Sequence, residues 1–249
     1  MAEAGHDFLA RLGKRRLRPG GVAATNWLME QGEFHPGMQV LEVACNMGTT
    51  SIELAKKYQV QITGIDLNRK ALEKAQVNIK KAHLEDLIHV QRANALKLPF
   101  PDNSFDIVIN EAMLTMLPEN AKAKAVQEYY RVLKPGGKLL THDVSYLDRS
   151  VVSELAALRQ AINVNVTPLY IDDWKDLFKQ TGFKQVDSIS GQMTLMSPKG
   201  MVQDEGVPNT LRILRNGIKK ENRPMFKKMF KFFNTKGKKL RYIAVTSTK

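Results

Sequence analysis

Eight residues, Leu41-Glu-Val-Ala-Cys-Asn-Met-Gly48, constrain the fold more than any other part of this 249-residue chain. They join a short apolar strand to a turn, and residues 49–58 then carry the spacing of a helix with Ile52, Leu54 and Ala55 facing inward. The next apolar run, residues 60–65, closes on Asp66. A strand, a tight turn, a helix and an acid ending the following strand make a site for an adenosine-bearing ligand. Amides at the helix N-terminus face the polar part of such a ligand, and the carboxylate accepts from two ribose hydroxyls. The turn alone is a weak signal, because Gly48 is its one glycine. The ordered signals downstream make it strong.

Strand and helix patterns alternate from there. Residues 39–43, 61–65 and 87–92 read as strands, with a helix over 69–82 between the second and third. Residues 105–110 are nearly all apolar, as expected for a central parallel strand covered on both faces. A helix over 120–133 stops at Lys134-Pro-Gly-Gly137, where proline cannot continue it and glycine permits a turn. Residues 138–144 read as a fifth strand. Repeated βα units imply a parallel sheet with right-handed crossovers and ligands at the carboxyl ends of its strands. Beyond residue 150, helices are expected over 151–161 and 171–180, with Gly182 as a stop, and a strand over 183–189. Two short basic helices, 205–218 and 224–233, precede a final strand over 240–246.

The net charge of +13 suggests nucleic acid until it is located. Residues 211–249 hold 13 lysines and arginines against one acid, Glu221, a balance of +12. Residues 1–210 are near neutral at +1, whereas a duplex-binding enzyme more often carries basic charge beside its ligand site too. No run of 18 apolar residues is present and the first 30 residues lack a signal-peptide core, so the expected location is the cytoplasm. The single cysteine, Cys45, excludes an intrachain disulfide, and no cluster has zinc-ligand spacing.

Four segments in this order resemble the class I S-adenosylmethionine-dependent methyltransferases, of the type that includes ubiquinone/menaquinone and small-molecule methyltransferases. They are the turn above, Gly64-Ile-Asp66, Ala93-Asn-Ala-Leu-Lys-Leu-Pro-Phe-Pro-Asp-Asn-Ser-Phe-Asp106 and Arg131-Val-Leu-Lys-Pro-Gly-Gly137. The resemblance is strong over 38–145 and looser to the C-terminus. It implies an α/β fold: a doubly wound, Rossmann-like, seven-stranded and mostly parallel sheet, with helices on both faces and a small helical lid. Residues 240–246 would supply the reversed strand. The expected organisation is one domain, with a lid segment over 1–36, a cofactor-binding core over 37–146 and an acceptor-site elaboration over 147–249. A nicotinamide-dependent oxidoreductase is the rival class, but its Gly-x-Gly-x-x-Gly pattern is absent.

The resemblance implies S-adenosyl-L-methionine as cofactor. Glu42 would support the turn and the methionine amino group, Ala44, Cys45 and Asn46 would line the methionyl moiety, and Gly48 would also belong to the cofactor-binding set. Asp66 and Leu67 would take the ribose and one adenine face, Asn94 and Ala95 the adenine edge, and the Asn110 carbonyl the cofactor amine. Two departures stand out. Ala44 and Asn46 replace the first two glycines of the turn, and Asn94 stands where an aspartate is common. Alanine needs little room, asparagine tolerates left-handed backbone, and an amide oxygen accepts the bond a carboxylate would. Gly136 and Gly137 read as structural. For Asp66 a helix N-terminal acid, and for Asn94 a plain turn residue, remain the alternatives.

Methyl transfer is a direct displacement, so it needs alignment and charge complementarity but no metal. If the acceptor arrives protonated, His142 and Glu111 are the candidate bases, at the ends of the fifth and fourth strands. The expected acceptor is a small, partly apolar or anionic molecule. Alternatives are a prenylated quinone precursor or lipid headgroup met at a membrane, and a non-catalytic cofactor-binding regulator. Arg18 and Thr25 are candidates to meet acceptor or cofactor, and 191–198 is a second lid candidate. The stripe Met225, Phe226, Met229, Phe230 and Phe233 would pack on the core, cover an apolar acceptor, or rest on an anionic membrane.

Overall fold

The computed structural model describes residues 3–249, apart from the side chains of residues 152 and 153. Its centre is one sheet. Strands β1 (Gln39–Val43), β2 (Gln61–Asp66), β3 (Ile88–Arg92), β4 (Phe105–Glu111) and β5 (Leu133–Tyr146) lie parallel in the order β3-β2-β1-β4-β5. After β3 the chain jumps back across β1 to form β4. The carboxyl ends of β1 and β4 therefore flank the crevice where sheets of this kind bind ligands. β6 (Leu169–Tyr170) pairs with the end of β5. β7 (Gln185–Gln192) and β8 (Leu240–Thr248) complete the sheet, with β8 antiparallel between β5 and β7.

The sheet thus has eight strands where seven were expected. The addition is β6, and its cause is the length of β5, which at 14 residues runs past β4 and leaves Ser145 and Tyr146 without a neighbour on that side. A two-residue strand satisfies those backbone groups.

Helices α1 (Gly5–Leu12), α2 (Gly21–Gln31), α3 (Thr49–Tyr58), α4 (Arg69–Ala82), α5 (Glu119–Val132), α6 (Val152–Ile162), α7 (Ile171–Thr181), α8 (Pro198–Gly217) and α9 (Arg223–Asn234) surround it. Adjacent residues of a strand point to opposite faces, and here both faces are buried. Val40, Ile107 and Ile109 pack with Leu28, Leu54 and Ile79 of α2, α3 and α4. Leu41, Val108 and Leu139 pack with Val126, Tyr129 and Phe178 of α5 and α7. α4 begins where Asn68 accepts from the amides of Lys70 and Ala71, satisfying two of the donors a helix start leaves open.

A third apolar cluster lies off the sheet. Phe8, Leu9 and Leu12 of α1 meet Leu158 of α6, Ile213 of α8 and Phe226, Met229, Phe232 and Phe233 of α9. The α9 stripe therefore packs inward, while Lys227, Lys228 and Lys231 stay exposed. α8 starts earlier than the expected 205–218. Ser197 caps the Gly200 amide at 3.0 Å, and the helix kinks at Gly206, where φ is 73°. The basic helix is its second half. Among the described residues, no helix is long and apolar enough to cross a membrane.

Candidate active site

The turn after β1 opens a cavity of about 810 Å³ at the carboxyl ends of β1, β2 and β4. Ala44, Asn46 and Gly48 have φ of 58°, 48° and 72°. The left-handed backbone expected of a three-glycine turn thus forms with one glycine. It aims the start of α3 at the cavity, with Thr49 and Thr50 on the wall. Glu42, Ala44, Cys45, Asn46, Asp66, Leu67, Asn94 and Ala95 also line it.

Asp66 accepts from the amides of Asn46 (3.0 Å) and Asn68 (2.8 Å), one on each oxygen. A carboxylate has about four acceptor positions, so two remain for a ligand. Leu67, 58% exposed at the rim, offers an unpaired apolar surface to a flat ring. Asn94 Oδ1 accepts from the Leu96 amide at 2.9 Å, so this residue closes its own turn and keeps one lone pair for the cavity. Gly48 and Asn110 are not on the wall. Gly48 is the left-handed N-cap of α3, and its amide donates to the Cys45 carbonyl at 2.8 Å. Asn110 is fully buried; its Nδ2 donates to Thr141 at 3.0 Å and its Oδ1 has no partner among the described residues. Cys45 is buried, and that burial pushes its thiol up, which suits a small apolar filler.

Glu42 lies on the wall with 6% of its surface exposed and accepts a hydrogen bond from Ser51. Burial pushes its carboxyl up to about 7, against the opposing pull of Ser51.

Glu111, another acid on the wall, is held quite differently. Arg18 Nε lies 3.2 Å from its Oε1, and Arg18 also donates to Thr25 (2.7 Å) and Thr50 (2.5 Å). Both threonine hydroxyls in turn donate hydrogen bonds to Glu111, at 2.9 and 3.1 Å. His142 Nδ1 lies 3.1 Å from Glu111, and His142 Nε2 accepts from the Gly20 amide at 2.9 Å. That amide makes Nε2 the acceptor and Nδ1 the N–H. Burial pulls the Glu111 carboxyl upward, but Arg18 and then His142 outweigh it and hold it at about 2.

Neither proposed base is arranged as one. His142 is fully buried, absent from the cavity wall, and has both nitrogens engaged. Glu111 is too acidic to take a proton near neutrality. Their position at the strand ends was legible from the sequence. Their partners were not, because Arg18, Gly20 and Thr25 come from a segment whose register only tertiary packing sets. Together these groups form a latch that ties residues 18–25, the end of the α1–α2 connection and the start of α2, to the sheet. Arg18 and Thr25 thus meet Glu111.

A second cavity, of about 90 Å³, adjoins the first. Leu158, Val164, Val166, Met193, Leu195 and Phe233 give it an apolar wall, and Asp143 reaches its edge. His6, Leu17, Ala112 and Met116 line both cavities. His6 carried no sequence signal, since a lone histidine on a short helix is unremarkable until α1 is docked. The second lid candidate, 191–198, contributes Met193 and Leu195 to this wall.

A family profile described as a methyltransferase domain matches residues 40–137, which includes β1, β2, β4 and the crevice between them. An uncharacterized protein of Haemophilus influenzae is 60% identical over 99% of this chain and 98% of its own length. A demethylmenaquinone methyltransferase of Lactiplantibacillus plantarum is 36% identical over 50% of this chain and 52% of its own. Residues 40–137 of this chain thus form a methyltransferase domain of the S-adenosylmethionine-dependent kind. Its match spans about half the length of the named methyltransferase relatives. In fold it is similar to a phosphoethanolamine N-methyltransferase 2 of Haemonchus contortus in complex with S-adenosyl-L-methionine, with a TM-score of 0.75 at 17% identity, over 98% of this chain and 56% of that one.

The residues present fit this methyltransferase cofactor. A carboxylate with open acceptor positions faces the cavity at Asp66 and an exposed apolar side chain stands beside it at Leu67. A buried carboxyl with a raised affinity for its proton, Glu42, lies on the same wall. The cavity volume lies in the range of small-molecule sites.

Proposed function

We propose that this methyltransferase acts on a small acceptor with an apolar body, held in the second cavity. One observation carries this reading: the apolar cavity shares a wall with the cofactor cavity, so its occupant abuts the end lined by Ala112 and Met116. S-adenosylmethionine supplies an electrophilic methyl group on a positively charged sulfur. Asp66, Leu67 and Glu42 orient it, and the latch of Arg18 and Glu111 holds the lid that excludes water. Alignment and exclusion of water supply much of the rate for a displacement of this kind. Any proton the acceptor sheds goes to His6, the imidazole on the shared wall, whose side chain is 37% exposed and can pass it to solvent.

The prenylated quinone precursor remains the second reading, favoured by the apolar character of the same cavity. The deciding experiment supplies S-adenosylmethionine with a radiolabelled methyl group and a cell extract, then partitions the product. Label should enter a small organic-extractable compound, and Val166→Phe, which fills the cavity, should abolish this while leaving cofactor affinity intact. Label confined to RNA, protein or strongly polar metabolites would overturn the proposal.

A further inference from the structure

The outer face of the second half of α8 carries apolar side chains that the fold does not use. Val207, Leu211 and Ile218 are 57, 60 and 66% exposed. They recur at i, i+4 and i+11, so they share one side of the helix. Thr210, Ile213 and Gly217 point instead to the third cluster, with Gly217 pressed against the Phe226 ring. A third side is taken up by the lid: Asn209 and Asn216 donate to the carbonyls of Gly13 and Leu12, each at 3.0 Å. The exposed stripe is what remains.

Its surroundings are basic. Arg212, Arg215, Lys219 and Lys220 lie exposed along the same segment, and Glu221 is the one acid among residues 211–249. Exposed aliphatic side chains framed by basic residues, on a helix too polar to be buried, match the interface of a bilayer that bears negative headgroups. A nucleic-acid partner would explain the charge but not the leucine and isoleucine.

We propose that this face of α8 is a docking surface for an anionic membrane. It goes beyond the assignment of the methyl-transfer site and does not depend on it. Val207, Leu211 and Ile218 enter the headgroup layer, and Arg215, Lys219 and Lys220 meet its phosphates. α8 also grips the lid, through Asn209, Asn216 and the Lys14 contacts to Asp204 (3.5 Å) and Glu205 (3.6 Å). Docking there places the lid next to the bilayer, the natural source of an apolar acceptor.

The test is sedimentation of the full chain with vesicles of phosphatidylglycerol and phosphatidylcholine, against vesicles of phosphatidylcholine alone. The expected result is binding to the anionic vesicles only, weakened by salt. Arg215→Gln with Lys219→Gln should lower that binding by roughly 30-fold, from about fivefold for each basic side chain. Leu211→Glu with Ile218→Glu should abolish it. All four positions are solvent-exposed, so these variants should keep the wild-type affinity for S-adenosylhomocysteine, which checks the fold. Equal binding to both vesicle types, no binding, or binding that survives both variants would overturn the proposal. So would self-association of the free protein that Leu211→Glu removes, which would make the occupant a second copy of this chain.

Discussion

Glu42 should couple cofactor binding to proton release. In the free protein, burial raises its carboxyl to about 7 from an ordinary 4.5. The cofactor brings a sulfonium and an ammonium to this cavity, and nearby positive charge favours the ionised acid. If binding restores the ordinary value, the shift of about 2.5 units makes affinity climb with pH until Glu42 is ionised in the free protein too. Linkage with values of 7 and 4.5 gives a rise of about 40-fold from pH 5 to pH 7, or about 2 kcal/mol. The window stops at pH 7 because the ligand's own amino group titrates just above it. Isothermal titration calorimetry across this range, in buffers of different ionisation enthalpy, should record release of nearly one proton at pH 6. Glu42→Gln cannot titrate, so its affinity should be level over the same window. A level wild-type profile, or a slope that persists in Glu42→Gln, would refute the reasoning.

Three further outcomes follow from the same geometry. Glu111, held at about 2, contributes stability that is complete above about pH 4.5 and lost as pH falls toward 2. Its shift of about 2.5 units corresponds to about 3 kcal/mol, and the acid limb of a urea-unfolding series should be shallower in Glu111→Gln by that order. His142→Ala should speed hydrogen exchange at the Gly20 amide and loosen residues 18–25 while leaving the pH profile of methyl transfer unchanged; loss of the acid limb of that profile would reinstate His142 as a base. Asp66→Ala should weaken S-adenosylhomocysteine binding at least tenfold by calorimetry, from the loss of charge-assisted bonds to two hydroxyls; unaltered affinity would move the ribose elsewhere.

Much of the central sheet was determined by local pattern. The boundaries of α3 and α4 and the strands β1 to β4 follow from apolar periodicity and turn residues, because each depends on neighbours close in sequence, whereas the reversal at β8 was expected only from the family resemblance. The cofactor wall was legible for the same reason: Glu42, Ala44, Asn46 and Asp66 sit at strand ends and in a turn that the chain itself positions. Tertiary structure alone decided the rest. Arg18 read as a candidate to meet acceptor or cofactor and Lys14 carried no signal, yet both are buried against acids distant in sequence, Lys14 beside Asp204 and Glu205 and Arg18 beside Glu111. His142 and Glu111 read as bases until Gly20, Thr25 and Thr50 were found to occupy their polar atoms. The apolar stripe of α9 turned inward, whereas α8 buries Met201 and Ile213 but leaves Val207 and Leu211 exposed. A helix's own spacing marks an apolar face, but which surface covers that face depends on contacts made across the whole chain.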